Sequence, residues 1–180
     1  MSKNCLIFLV LGMILLLTSC ARKEIAAGSE PQDVYIENVP FVKQKDKYCG
    51  PSAMASVLQF HGQYIDRDEI AGVIYIPELN GALISDMENY AASNGYHVES
   101  TNGNLESLKS NIDNGNPVIL LVDKGKWKVS IPHYYVAYGY NEQTETVILH
   151  TGYQQNKEIS YEQLEKEWQK MNNLMLVITR

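Results

Sequence analysis

The chain has 180 residues, of which 45% are hydrophobic and 20% are charged, and this balance fits one globular domain and excludes a charge-rich disordered protein. Fifteen basic residues against 21 acidic ones give a net charge of −6, so we expect no nucleic-acid partner. Three cysteines are too few for a disulfide scaffold, and each needs its own explanation.

Residues 1–19 have the features of a bacterial signal peptide. Lys3 precedes an uncharged run over residues 5–17, which is too short to span a bilayer and long enough for a signal-peptide core. The run ends in LTSC, residues 17–20, which resembles the bacterial lipoprotein signal, in which the cysteine receives lipid before cleavage. We therefore predict lipidation at Cys20, with an ordinary secretory signal or an uncleaved anchor as the alternative.

The lipid on Cys20 would anchor the protein to a membrane of the cell envelope. Ala21 follows the cysteine in place of an Asp, which favours the outer membrane in a diderm host and otherwise leaves the cell membrane. The polar segment over residues 20–33 is predicted to be a tether, and residues 34–180 to be the folded domain. Cys49 is then the lone thiol of this exported domain.

The first half of the domain is predicted to contain a short strand and four helices. A β-rich segment over residues 34–39 is stopped by Pro40. Apolar residues at helical spacing, N-capping side chains such as Asp66 and Asn104, and glycines after the last turn delimit the helices. They are expected at residues 51–61, 66–75, 83–93 and 104–115.

The second half of the domain is predicted to consist of strands and one helix. Continuous apolar runs and a polar hairpin turn identify the strands. They are expected at residues 118–122, 134–140, 146–150 and 174–179. Ser160 and Gln163 form a capping-box pattern for a helix that continues to Lys170. Helices followed by an antiparallel sheet predict an α+β domain.

Three residues have the types and positions that nucleophilic thiol chemistry requires. Cys49 precedes Gly50 at the start of a predicted helix, where free backbone N–H groups and the helix dipole favour a thiolate, and Gly50 leaves room for a substrate carbonyl. His133 opens a predicted strand, which would hold an imidazole rigidly enough for a general base. Gln44 lies five positions before the cysteine and could donate a hydrogen bond to an oxyanion. Taken one at a time, each residue also has an ordinary structural explanation.

The combination QxxxxCGP from Gln44 and HYYV from His133 resembles the bacteriocin-processing cysteine peptidases, peptidase family C-39. The resemblance implies a papain-like fold, with N-terminal helices packed on an antiparallel sheet, and cleavage of a peptide substrate, often a leader that ends in two small residues. It implies Cys49 as the nucleophile, His133 as the base and Gln44 as the oxyanion donor, and it implies no cofactor.

The catalytic Asp of that family has no counterpart in this chain. It should fall at the end of the strand after the hairpin, where the sequence is His150-Thr151-Gly152. Because a hairpin of this length returns both His150 and Thr151 to His133, we predict that His150 orients the imidazole, with Thr151 as the alternative. Neither side chain supplies the negative charge that stabilises an imidazolium.

Two other functions remain open at this stage. A cell-wall peptidase of the NlpC type suits an envelope lipoprotein, although it has no equivalent of Gln44. A catalytically weak or inactive relative that only binds peptides is favoured by the missing acid. The four histidines and the lone thiol lack metal-ligand spacing, so we predict no metal site.

Five further residues are predicted to be structural or surface positions. Lys43, Lys45 and Lys47 alternate beside the nucleophile and are expected to form a solvated edge. Trp127 and Trp168 are expected to contribute to packing.

Overall fold

The computed structural model describes residues 33–180, so the predicted signal peptide, Cys20 and most of the tether lie outside the described residues. Five helices occur in this part of the chain: α1 Cys49–Phe60, α2 Arg67–Ile74, α3 Ile84–Ser93, α4 Leu105–Asp113 and α5 Tyr161–Trp168. The longest helix, α1, has 12 residues, and none within residues 33–180 approaches the length of about 20 apolar residues that a bilayer requires.

The helix boundaries follow the capping signals of the sequence. The Asp66 carboxylate accepts a hydrogen bond from the Asp68 N–H at 2.7 Å, which satisfies a free donor in the first turn of α2. Asn104 and Ser107 form a reciprocal capping box at the start of α4. Gly62, just after the last turn of α1, has a φ of +84°, which a residue with a Cβ adopts only with strain.

Seven strands form one antiparallel sheet in the order β2-β7-β3-β4-β5-β6, with β1 paired to β4. The strands are β1 Val34–Tyr35, β2 His97–Asn102, β3 Val118–Asp123, β4 Pro132–Asn141, β5 Thr146–His150, β6 Lys157–Ser160 and β7 Leu174–Thr179. The pairing of β4 with β5 has a register shift between Ala137 and Gly139. Strand β1 lies directly against Gly139, where a Cβ would approach the Tyr35 Cβ to 2.7 Å.

Strand β4 is buried on both faces, because helices cover both sides of the sheet. Tyr134, Val136 and Tyr138 pack into a core shared with α1, α2 and α3. Tyr135 and Ala137 point the opposite way, into a core shared with α4 and α5. The predicted α+β class is confirmed: α1, α2 and α3 cover one face of the antiparallel sheet, and α4 and α5 cover the other.

Two edge strands, β2 and β6, were not predicted. Their sequences, HVESTN and KEIS, are polar and offer little apolar alternation, because an edge strand buries only part of one face. The opening strand is shorter than the predicted 34–39, because the chain turns at Asn38, which has a φ of +60°. Sequence pattern therefore located the central strands better than the edges of the sheet.

The two tryptophans have opposite environments. Trp168 is buried and its indole N–H donates to the Leu174 carbonyl at 2.9 Å, as expected of a packing residue. Trp127 is fully exposed, so the prediction that it packs is wrong. It lies on the loop between β3 and β4, and its ring is not buried against any other element.

Candidate active site

Cys49 is the first residue of α1 and lies partly exposed at the floor of a cleft. Gly50 packs against the segment that precedes α3, and a Cβ at this position would lie 3.0 Å from the Ala82 Cβ. The sequence suggested that Gly50 makes room for a substrate. In the structure, the absence of a side chain at Gly50 instead allows close packing against Ala82.

The environment of the Cys49 thiol favours the neutral form. Burial raises its pKa above the ordinary value, and this outweighs the backbone N–H groups of Tyr134, Gly50 and Cys49 itself, which lower it. The prediction that the helix start favours a thiolate is therefore incomplete, because it counted the N–H groups and omitted desolvation. The contribution of Tyr134 places the thiol beside the first residues of β4.

His133 is buried near the start of β4, and its Nε2 lies 2.7 Å from the carbonyl oxygen of Thr151. Since a carbonyl only accepts, Nε2 carries the proton, and in the neutral ring Nδ1 keeps the lone pair of a base. Burial lowers the pKa of His133, the Thr151 carbonyl opposes this shift, and the nearby charge of Lys124 lowers the pKa further.

Two aromatic rings confine the His133 imidazole. Tyr153 stacks on it with ring centroids 5.9 Å apart and planes within 5° of parallel. Tyr135, two residues along the same strand, meets it edge-on at 5.4 Å. The sequence analysis missed Tyr153, although its place two residues after Thr151 on a tight turn was visible in the sequence.

The predicted contact between the His150 ring and His133 is absent from the structure. His150 Nε2 lies 3.1 Å from the carbonyl oxygen of Val39, and its Nδ1 accepts from the Asn156 N–H at 3.3 Å. Both ring nitrogens are thus committed to backbone groups elsewhere. The ring packs between Phe41 and Tyr138. It therefore secures the N-terminal segment to the sheet.

Thr151 contacts His133 through its main chain and not through its side chain. The Thr151 hydroxyl oxygen accepts from the N–H groups of Gln154 at 2.9 Å and Tyr153 at 3.3 Å, which fixes the turn that follows β5. This turn directs the Thr151 carbonyl at the imidazole. Sequence inspection could not find this partner, because every residue has a carbonyl.

Gln44 is buried and lies against the same turn. Its backbone N–H donates to the Gly152 carbonyl at 2.9 Å. Its side chain occupies the space above Gly152, where a Cβ would lie 2.2 Å from Gln44 Oε1, and Gly152 also has a φ of +81°. Within residues 33–180, Gln44 Oε1 is buried without a hydrogen-bond partner. The segment that leads to α1 and the turn after β5 are thereby held together.

Gln44, Cys49 and His133 line one cleft of about 730 Å³. Its walls are mainly apolar, and several of the large side chains around it are exposed to solvent. They include Leu79, Leu83, Ile131 and Tyr153. His150 does not line this cleft. The structure therefore brings Gln44, Cys49 and His133 into one cleft, whereas the fourth predicted site residue, His150, lies outside it.

The three lysines near the nucleophile are exposed, as predicted. Lys45 forms an ion pair with Asp68, and the Lys47 ammonium donates to Asn80 Oδ1 at 2.7 Å. None of the causes that shift the pKa of Cys49 involves them. Among residues 33–180, no group of three His, Cys, Asp or Glu side chains has a spacing that could hold a metal ion.

A model of the Peptidase_C39 like family matches residues 36–176. No curated protein sequence matches the chain. Among solved structures, the chain is similar to the peptidase domain of Streptococcus ComA, a bi-functional ABC transporter, with a TM-score of 0.66 and 24% identity over 78% of this chain and 98% of that one.

Two further structures share the fold. A protein of Bacillus anthracis described as a C39-like peptidase gives a TM-score of 0.67 at 19% identity, covering 83% of this chain and 98% of that one. A double glycine motif protease of an AMS/PCAT transporter, solved with its leader peptide, gives a TM-score of 0.64 at 14% identity, covering 80% and 92%.

Proposed function

Because the chain belongs to the Peptidase_C39 like family, whose solved neighbours are papain-like cysteine peptidase domains, we propose that it cleaves peptide bonds with Cys49 as nucleophile and His133 as general base. The observation that carries this proposal is the shared cleft, in which Gln44 joins the two reactive residues. The proposal extends to a lipid anchor on Cys20, which would hold the peptidase at a membrane of the cell envelope.

The tautomer of His133 supports its role as the base. With the Nε2 proton donated to the Thr151 carbonyl, Nδ1 is the nitrogen that takes the proton from the Cys49 thiol. The sulfur then attacks the carbonyl carbon of the scissile bond, and the imidazolium returns its proton to the leaving amine. In the second half of the reaction, His133 takes a proton from water, the oxygen attacks the thioester carbon, and the Cys49 sulfur leaves and regains its proton.

The oxyanion of the tetrahedral intermediate needs hydrogen-bond donors. The Gln44 side-chain amide at the cleft and the backbone N–H of Cys49 at the helix start would supply them. The packing of Gln44 on Gly152 supports this role, because it keeps the amide from rotating into solvent.

The pKa shifts support a pair that is neutral in the resting state. Burial raises the pKa of Cys49 and lowers that of His133, so the thiolate–imidazolium pair forms only as the attack begins. Activity should then rise with pH below about 6.5, as His133 loses its proton and becomes available as the base, and stay level through neutrality. The same shifts favour the second candidate, a relative that binds peptides and cleaves them slowly or not at all.

One experiment separates these candidates. The full chain is assayed with fluorogenic peptides that contain two small residues before the scissile bond, together with a muropeptide that tests the NlpC-type alternative. Cys49→Ala should abolish cleavage, whereas Ser52→Ala, which removes a buried and unpartnered hydroxyl one turn along α1, should leave it unchanged. Cleavage that survives in Cys49→Ala contradicts the enzyme assignment. Tight peptide binding without cleavage by the unaltered chain supports the binding relative.

The anchor has its own test. Cells that express the full chain are labelled with a clickable fatty acid and fractionated, and the Cys20→Ala variant is treated in parallel. We expect label and membrane partition in the unaltered chain and loss of the label in Cys20→Ala. Equal labelling of both chains would refute lipidation at this residue.

A further inference from the structure

The loop between β3 and β4, residues 124–131 and hereafter the basic loop, differs in charge from the rest of the protein. It contains Lys124, Lys126 and Lys128 and no acidic residue, which gives it a charge of +3 in a chain of −6. Trp127 lies between two of these lysines and is fully exposed, and Val129 is 64% exposed. Ile131 is also half exposed, so three apolar side chains within five residues face water beside concentrated positive charge, and exposed apolar clusters mark interaction sites.

The basic loop has a defined conformation. The Asp123 carboxylate accepts from the N–H groups of Gly125 at 2.7 Å and Ile131 at 2.8 Å, which closes the base of the loop. The Lys170 ammonium donates to the Gly125 carbonyl at 2.8 Å from the other side. Trp127 itself has a φ of +61°, in the left-handed region, at the tip. The fold therefore fixes the backbone at the base of the loop and leaves the Trp127 side chain exposed at its tip.

We propose that the basic loop docks on the surface of an anionic lipid bilayer, with Trp127 inserted at the headgroup level and Lys126 and Lys128 against lipid phosphates. Tryptophan is enriched at membrane interfaces because its ring is apolar and its N–H is polar, and each lysine near an anionic surface strengthens binding. The charge complementarity favours lipid over a peptide partner. The cavity of about 530 Å³ between the loop and α5 is lined by Glu167 as well as by lysines, whereas Lys128 and Val129 do not line it and remain free to meet an anionic surface.

The connection to the N-terminus permits this docking. The described chain starts beside Tyr140, where β1 pairs with β4, and the basic loop joins the opposite end of β4 at Pro132. These ends lie eight residues apart, which is about 26 Å along a strand. Residues 21–33 can span up to about 45 Å when extended. An anchor at Cys20 therefore leaves enough chain for the basic loop to reach the same membrane.

Docking would also orient the proposed peptidase, and this consequence rests on the proposed function. Ile131, the last residue of the basic loop, lines the cleft that contains Cys49 and His133. A bilayer bound at the loop would lie beside the cleft, where peptides emerging from the membrane would meet it first. Lipid binding itself does not depend on catalysis or on Cys20.

The test uses residues 21–180 with vesicles, so that neither the signal segment nor the lipid contributes to binding. This segment contains both hydrophobic cores, whose buried residues lie between positions 39 and 178. The match to the ComA peptidase domain covers 98% of that domain. We therefore expect residues 21–180 to fold alone. Tryptophan emission, quenching by brominated lipids and flotation are measured with phosphatidylglycerol and with phosphatidylcholine vesicles.

Lys126 and Lys128 at about five-fold each predict binding to phosphatidylglycerol roughly 25-fold tighter than to phosphatidylcholine. Trp127 emission should shift to the blue and be quenched by brominated lipid, and Trp127→Phe, which leaves only buried Trp168, should lose both signals. Lys128→Glu should weaken binding by about 25-fold because it changes the charge by two. The matched control Lys157→Glu, on β6, should change it little.

Several results would overturn the proposal. Water-like Trp127 emission in the presence of phosphatidylglycerol vesicles would do so, as would equal losses in Lys128→Glu and Lys157→Glu. An emission shift caused by a substrate peptide but not by lipid would assign the loop to peptide binding instead. Because peptide cleavage and lipid binding are read separately, failure of either proposal leaves the other measurable.

Discussion

The variant Thr151→Asp tests whether the missing negative charge limits the proposed catalytic pair. The Thr151 hydroxyl oxygen accepts from two N–H groups of the turn, and a carboxylate oxygen can accept from the same groups. The turn should therefore survive, and the Thr151 carbonyl should remain 2.7 Å from His133 Nε2. The substitution adds a charge close to the imidazole while the hydrogen bond that orients it stays in place.

The magnitude follows from distance and burial. A carboxylate one side chain away from that carbonyl lies about 6 Å from the ring, and at an effective dielectric constant of about 20 the attraction is about 3 kcal/mol. This attraction raises the pKa of His133, against the lowering caused by burial. The imidazolium in turn stabilises the thiolate of Cys49, so alkylation of the thiol at pH 6–7 should accelerate by about 10- to 100-fold.

The assay compares the unaltered chain, Thr151→Asp and Thr151→Asn. Asn keeps the hydrogen-bond acceptor and the size of Asp without its charge. The pKa of His133 is followed by NMR, and the rate of Cys49 alkylation by iodoacetamide is measured from pH 5 to pH 9. A rate increase shared by Asn, or an unchanged profile in a folded Asp variant, would refute the electrostatic reasoning.

The remaining predictions concern stability. His150→Ala should lower the free energy of unfolding by about 3 kcal/mol, measured with urea, because it removes a buried ring and leaves the buried Val39 carbonyl without its partner. Burial lowers the pKa of both His133 and His150. Below pH about 6.5 the unfolded chain therefore binds more protons than the folded chain. Stability should therefore be complete above that pH and fall between pH 6.5 and 5; a flat profile contradicts this. Gly152→Ala should cost at least about 1 kcal/mol and slow cleavage, since it strains a left-handed residue and displaces Gln44. Gly72→Ala, inside α2 with open space around it, should instead stabilise the fold by up to about 1 kcal/mol.

The central elements of the fold could be predicted from the sequence because their signals are local. The strand β5 was placed at its observed bounds, and the cap at Asn104 was identified, since alternation and capping depend on neighbouring residues. The polar edge strand β2 could not be found in this way, because its place is set by pairing with β7, which is more than 70 residues away.

The site was predicted as far as it depends on residue type. Gln44, Cys49 and His133 were chosen for their chemistry, and they line one cleft. The orienting group was missed because it is a backbone carbonyl, and the pKa of Cys49 was misjudged because burial is a property of the packed protein. His150 was close enough in sequence to suggest a contact, but its ring points to Val39.

The use of a main-chain carbonyl at position 151 changes which mutations the site can tolerate. No substitution of Thr151 removes its carbonyl, so point mutations there can only move or tune the group. A change in the number of residues between Gly152 and Asn156, by contrast, would reset the turn that aims it, even if every proposed catalytic side chain were retained. At this position the length of the turn is under tighter constraint than the identity of the residue.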